Sequence, residues 1–310
     1  MAKSSFSFKT DSWLVKRKKY HEIGGKALAF VCAAVVIILT LALVYFISTK
    51  GLAAFFINKV SFKEFFLSTQ WWPDRPPIEG GPKVGALPFI IGSLAVSMLA
   101  VLVSAPLSIL VAVFMVEIAP AWGQRILQPA IELLAGIPSV VYGYVGLILL
   151  VPFIRDYIGG NGFSVLAGFL VLAVMILPTI ISVSTDSLRS LPRQWKEAAF
   201  ALGSTHWQVI RLVLLPAARS GIITGIVLGL ARAFGETLAV QMVIGNTRKI
   251  PTSILDPVMT LTSAITMDMG YTTTGSLWNN ALWTMSLILL GLSFFFILTI
   301  KAVSKKGGRY

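Results

Sequence analysis

Long apolar runs recur along the chain at residues 27–49, 84–116, 133–154, 163–185, 217–245 and 278–300, with polar stretches between them. A helix rises 1.5 Å per residue, so about 20 apolar residues cross the hydrocarbon core of a bilayer. Each run is long enough, and the pattern predicts an all-α integral membrane protein with six transmembrane helices. The second run has length to spare for an extra turn or two. The fifth differs from the rest because Arg232 and Glu236 interrupt it. Pro106, Pro138 and Pro178 fall within predicted spans, where each is expected to kink its helix. The first run exceeds the 7–15 apolar residues of a signal peptide and no small-residue cleavage site leads into a soluble domain, so it reads as a span.

Composition agrees: 56% of the 310 residues are hydrophobic and 13% charged, against about 25% charged in a soluble domain. The net charge of +13 would suit nucleic acid, but its distribution follows topology. With six spans and the N-terminus inside, seventeen Lys and Arg fall in cytoplasmic segments and eight outside, with Arg232 in the membrane. Positive residues mark the cytoplasmic side, so both termini are expected there, including "KRKK" at 16–19. The basic runs lack interleaved aromatics or a nucleic-acid module, which argues against that class of partner. The single Cys32 excludes a disulfide framework and reads as a packing residue. His21 and His206 are too far apart in sequence to predict a metal site.

The segment 50–83 carries "TQWWPDRPPIEGGPK", whose Pro and Gly argue against a regular element. Trp71 and Trp72 there suit an anchor at the lipid headgroups, with a contact surface for an extracytoplasmic partner as the alternative. Glu117 and Glu132 flank a short connection and are expected to be solvated helix ends near Arg125. Asp256 and Asp268, in the segment 247–272, receive no task from the sequence.

Residues 190–216 interrupt the apolar pattern. Pro192 fits a first helical turn, and Trp195, Ala198, Ala199 and Leu202 recur at i, i+3, i+4 and i+7 as an apolar stripe flanked by Arg193, Lys196 and Arg211. Gly203 can take the left-handed conformation that ends a helix. Thr205 and Gln208 then form a capping-box pattern. Two short helices joined at Gly203 are expected, the second leading toward Pro216 and the fifth span. Helix physics leaves two uses open: docking against another protein, or lying on an anionic membrane surface.

Arg232 is expected near the middle of the fifth span, where insertion costs about 2.5–3.5 kcal/mol. Glu236, four residues on, is expected on the same helix face. Either the two form an internal pair, or Arg232 receives an anion in transit while Glu236 orients the guanidinium. An Arg fork can donate two parallel hydrogen bonds to an oxyanion. The chain contains no G-x-x-x-x-G-K-[ST] phosphate cradle, so a pump built on it needs an ATPase on another polypeptide.

The arrangement Glu197-Ala198-Ala199, Gly203, Val213, Leu215-Pro216 resembles the hallmark of the inner-membrane subunits of bacterial ABC importers. Further, "GALPFIIGSLAVSMLAVLVSAPLSILVAVFMVEIAP" (85–120), "AGIPSVVYG" (135–143) and "ARAFGETLAVQMVIGN" (231–246) resemble the C-type permease of high-affinity phosphate importers, a likeness running from about residue 26 to 303. The resemblance implies a type I ABC importer permease fold with a cytoplasmic coupling helix that enters a cleft on the ATP-hydrolysing subunit. It implies a basic N-terminal segment 1–26, a permease domain 27–303 with its coupling loop at 186–216, and a tail 304–310. Glu197, Ala198, Ala199, Gly203 and Pro216 would couple to the ATPase, and Arg232 and Glu236 would bind substrate. Implied partners are an A-type permease paralogue, a dimer of ATP-binding subunits, an extracytoplasmic phosphate-binding protein, membrane lipid and a membrane sensor kinase system; no cofactor is implied and no enzymatic activity. Sulfate or molybdate import, or a signalling scaffold in place of a transporter, are the alternatives. An integral-membrane enzyme has little support, because the spans hold no His pair, no H-E-x-x-H and no second carboxylate near Glu236.

Overall fold

The computed structural model describes residues 12–306, so the first eleven residues of the predicted N-terminal segment and the last four of the predicted tail lie outside the described residues. Among the described residues six helices are long and apolar enough to cross a bilayer: Gly24–Phe56, Leu87–Ile118, Ser139–Ile158, Val165–Arg189, His206–Gly235 and Leu277–Ala302, here spans 1 to 6. The six-span, all-α expectation holds, and several boundaries move.

The chain divides into one unit that reaches Thr49 and another that starts at Lys50. The first is helical from Ser12. Its side chains from 24 to 46 are almost all exposed, Cys32 among them, so the thiol sits on a helix surface and not in a packed core as expected.

The second unit is organised around span 4. Leu172, Ile176 and Ile180 are fully buried, and the helix packs against span 2 on one side and span 5 on another. No charged residue falls between Val165 and Thr185, so this helix can be enclosed without a desolvation cost. Gly229 permits the close approach of span 5, since a Cβ there would lie 2.7 Å from Cγ1 of Ile180. Pro106 and Pro178 are accommodated within continuous helices.

Pro138 instead separates two helices. Residues Ala121–Gly136 form their own helix, Ile137 is extended (ψ 128°), and span 3 begins at Ser139. A residue before proline is pushed out of the helical region, which explains why the apolar run counted from 133 is not one helix. The connection after span 2 is therefore a helix of its own and not a short link.

Span 5 moves in the opposite sense. It begins at His206, eleven residues before the predicted start at 217, and ends at Gly235, ten before the predicted end at 245. The second short helix expected after Gly203 is the first turn of this span. Around Val209–Leu214 the turns widen to π-type hydrogen bonding just ahead of Pro216, which lacks an N–H for the regular ladder. After Gly235 the chain leaves the helix yet stays within the bundle: Ala239, Val240, Val243 and Ile244 are buried in the same core as span 4. Backbone bonds from Ser164 N to Val243 O (3.3 Å) and from Val258 N to Ile244 O (2.9 Å) hold that segment in place.

The segment after Lys50 also departs from expectation. Trp71–Trp72 and Lys83–Val84 pair as a short antiparallel ribbon around the Pro- and Gly-rich turn. Trp71 is 2% exposed and stacks edge-on against Phe89 at 5.3 Å, whereas Trp72 is exposed. Only the second of the two indoles can serve as a surface anchor.

Candidate translocation and coupling sites

The loop between spans 4 and 5 is built from local signals. A helix covers Arg193–Ala201, with Pro192 extended before it. Gly203 has φ +80°, the left-handed region that glycine enters without a Cβ clash. Thr205 N then donates to Gln208 Oε1 (2.8 Å), and Gln208 N donates back to Thr205 Oγ1 (3.4 Å), completing the capping box. The first short helix, the Gly joint and the capping box follow the sequence reading, while the second element continues into span 5.

The apolar stripe is split between two environments. Ala199 is buried and packs with Leu188, Val209, Ile210 and Leu214 of the same chain, so its small side chain serves intramolecular packing. Glu197, Ala198 and Pro216 are exposed. Trp195, at 48%, and Leu202, at 87% exposure, project large apolar surface outward.

Beneath this loop lies an ionic contact the sequence did not signal. Glu117, at the end of span 2, has a side chain only 7% exposed, which overturns its reading as a solvated helix end. Lys196 donates a hydrogen bond to its carboxylate and pairs with it, and His206 Nε2 lies 3.6 Å from the same oxygen. The partners are 79 residues apart for Lys196, so no local pattern could have revealed them. Glu132 is exposed and accepts a hydrogen bond from Gln128, as a solvated end should.

Arg232 and Glu236 are not the paired residues that a continuous helix would have made them. Arg232 sits in the last turn of span 5 and its Nη1 donates to Thr179 Oγ1 of span 4 at 3.1 Å. Glu236 follows the helix end in an extended conformation (ψ 130°), and its Oε1 accepts from Ala239 N at 3.2 Å. The carboxylate thus caps the short helix Leu238–Gln241 in the manner of an acidic N-terminal residue. Among the described residues Arg232 forms no ion pair. Glu236 instead borders a cavity of about 10 Å³ with Ser93, Ser97, Thr260 and Thr262, close to the size of one water. Irregular backbone at membrane depth is tolerated where it is enclosed by protein or lines such a cavity.

Asp268 and Asp256, unassigned from sequence, organise the segment between spans 5 and 6. Asp268 is buried and accepts from the Trp71 indole Nε1 (3.1 Å) and from Arg248 Nη2 at both carboxylate oxygens (3.0 and 3.2 Å). Replacing it by Ala leaves a buried indole N–H without a partner, and thermal unfolding in detergent is expected to show a loss of about 2–4 kcal/mol. Unchanged stability would show that Trp71 is held by packing alone. Asp256 accepts from the Thr252 hydroxyl and from the backbone N–H of Thr252 and Ser253. These bonds, led by the Thr252 hydroxyl, hold its carboxyl below the ordinary value of 3.8. A depressed carboxylate stabilises the turn above that value and ceases to do so as the pH falls through the lower folded value. Amide exchange at 252–256 is expected to stay protected down to about pH 4 and to lose protection only in stronger acid.

Among the described residues, six helices of membrane-crossing length, an exposed loop jointed at a glycine between the fourth and fifth, and a guanidinium without an ion pair in the last turn of the fifth are the features of a permease subunit of a transporter. The chain belongs to the family of binding-protein-dependent transport system inner membrane components, which residues 104–306 match. It is 52% identical over 292 residues to the probable ABC transporter permease protein YqgH of Bacillus subtilis (strain 168), covering 94% of this chain and 93% of that protein. It is 40% identical over 253 residues to the phosphate transport system permease protein PstC of Xylella fastidiosa (strain 9a5c), covering 75% of this chain and 74% of that protein. In fold it is similar to a subunit of a bacterial alginate ABC transporter solved with a periplasmic protein bound to alginate pentasaccharide, with a TM-score of 0.64 at 16% identity over 94% of this chain and 98% of that one.

Proposed function

We propose that this chain is the membrane-spanning subunit of an ATP-driven importer of inorganic phosphate. The observation that carries this reading is Arg232: a guanidinium inside the bundle, held by the Thr179 hydroxyl and unneutralised by the neighbouring carboxylate. Such a group can be completed by a passing oxyanion, with two charge-assisted hydrogen bonds from one planar fork. The likeness to PstC supports phosphate as that anion.

On this reading the loop 186–216 and both termini face the cytoplasm, in keeping with the bias of Lys and Arg. A dimer of ATP-binding subunits grips the exposed Trp195, Glu197, Ala198 and Leu202, while Ala199 secures the helix to its own bundle. An A-type permease covers apolar faces that this chain leaves bare, such as Tyr144, Ile148 and Leu149 of span 3. A binding protein delivers phosphate from outside. An inside-negative potential opposes entry by about 2.3 kcal/mol per charge per 100 mV, so an external energy source is required and ATP supplies it. The test is uptake of labelled phosphate by the assembled complex in ATP-loaded proteoliposomes. Uptake that persists under excess sulfate is the expected result; uptake abolished by sulfate would assign a different cargo.

A further inference from the structure

Among the described residues Glu117 is the one carboxylate paired with both halves of the loop between spans 4 and 5. Lys196 belongs to the helix Arg193–Ala201, before the Gly203 joint, and His206 opens span 5 after it. The His206 ring is further set by Phe200, whose ring lies parallel to it at 6.2 Å. Burying a carboxylate is costly unless it is paired, so this position is an expensive choice for a residue that only fills space. Arg189, Arg193 and Gln124 line the adjoining cleft of about 540 Å³, which leaves room for the loop to shift. At its other end span 2 reaches the neighbourhood of Arg232. Ser97 Oγ donates to Ala233 O at 3.5 Å, and Ser93 Oγ accepts from Leu261 N at 2.8 Å.

We propose that Glu117 is a positioning residue that fastens both halves of the loop to span 2, so that displacement of the loop by ATP moves span 2 beside Arg232. The inference rests on the importer reading above. A continuous helix with one end fixed to the loop and the other hydrogen-bonded next to the half-buried Arg232 is a physical route for coupling. Ala112 and Val113 of span 2 pack in the same cluster as Ala199, so the fold persists when the charge is removed and only the grip is lost.

The experiment uses the whole transporter in proteoliposomes and measures phosphate moved per ATP hydrolysed. Glu117→Gln is expected to lower that ratio about tenfold while hydrolysis stays within about twofold. Lys196→Gln is expected to lower it several-fold, and Lys196→Arg to preserve it, because a guanidinium keeps the pair. A wild-type ratio in Glu117→Gln, equal losses in both Lys196 variants, or a parallel loss of hydrolysis would each overturn the proposal. A second arm is independent of cargo: spin labels at the exposed positions Leu107 of span 2 and Val174 of span 4 report whether span 2 moves when a non-hydrolysable nucleotide binds. The shift is expected in wild type and absent in Glu117→Gln; an equal shift in both overturns the inference. A wild-type complex that shifts and hydrolyses ATP but moves no phosphate sinks the cargo reading and leaves the role of Glu117 standing on the spin-label result.

Discussion

Arg232→Gln is expected to reduce ATP-driven phosphate uptake by about a hundredfold or more while the complex still assembles. Each charge-assisted hydrogen bond contributes about 1.5–3 kcal/mol. Losing two of them at the point of passage removes about 3 kcal/mol or more, and each 1.4 kcal/mol is a factor of ten. Assembly should survive because the fold gains nothing from the charge. Arg232 sits in the last turn of span 5, where the helix dipole supplies about half a negative charge. That offsets part of the cost of burial and still leaves net positive charge for an anion. Gln retains a donor for Thr179. Measured uptake within a few-fold of wild type would remove Arg232 from the path. Disappearance of the variant from the membrane would make it a structural residue.

Glu236→Gln provides the contrast. If Glu236 neutralised the guanidinium between cycles, losing its charge would matter nearly as much as losing Arg232. Its Oε1 is instead occupied by Ala239 N, and a Gln side-chain oxygen can accept the same bond. Uptake by Glu236→Gln should therefore fall far less than by Arg232→Gln.

The placement of this pair shows where sequence reading gave out. The run 217–245 is uncharged apart from Arg219, Arg232 and Glu236, and no proline marks the stop at Gly235. Within 238–244, Ala239, Val240, Val243 and Ile244 are apolar because they are buried in the core around span 4. Composition reports burial and cannot tell a helix from enclosed irregular backbone. The joint at Gly203 and the Thr205–Gln208 box were legible because their partners lie within a few residues. Spans were legible because charge punctuates them, except where Pro138 split an apolar run that contained no charge after Glu132. The ion pair of Glu117 with Lys196 and the bond from Trp71 to Asp268 join residues 79 and 197 positions apart. Contacts at such range exist only once the bundle has closed.

Gly203→Pro should separate this subunit from its ATPase. The position needs φ +80°, and proline fixes φ near −65°. Proline also removes the N–H that Gly203 donates to Phe200 O at 2.9 Å. The cost exceeds about 3 kcal/mol at the joint, so the helix Arg193–Ala201 can no longer present Trp195, Glu197 and Leu202 at the angle set by Thr205 and span 5. Co-purification with the ATP-binding subunit and phosphate uptake are expected to be lost together, with the core around span 4 still folded because Gly203 takes no part in it. Gly203→Ala isolates the cause. A Cβ there would meet no atom within 4 Å, so alanine suffers only the left-handed backbone penalty of about 1–2 kcal/mol, and should keep most of the complex and most of the transport. If the proline variant binds its ATPase and transports as wild type does, the angle at Gly203 is irrelevant and the loop is not the handle. If alanine is as damaging as proline, the position requires the absence of a side chain because a partner's surface lies against it, and the joint is then an interface and not a hinge.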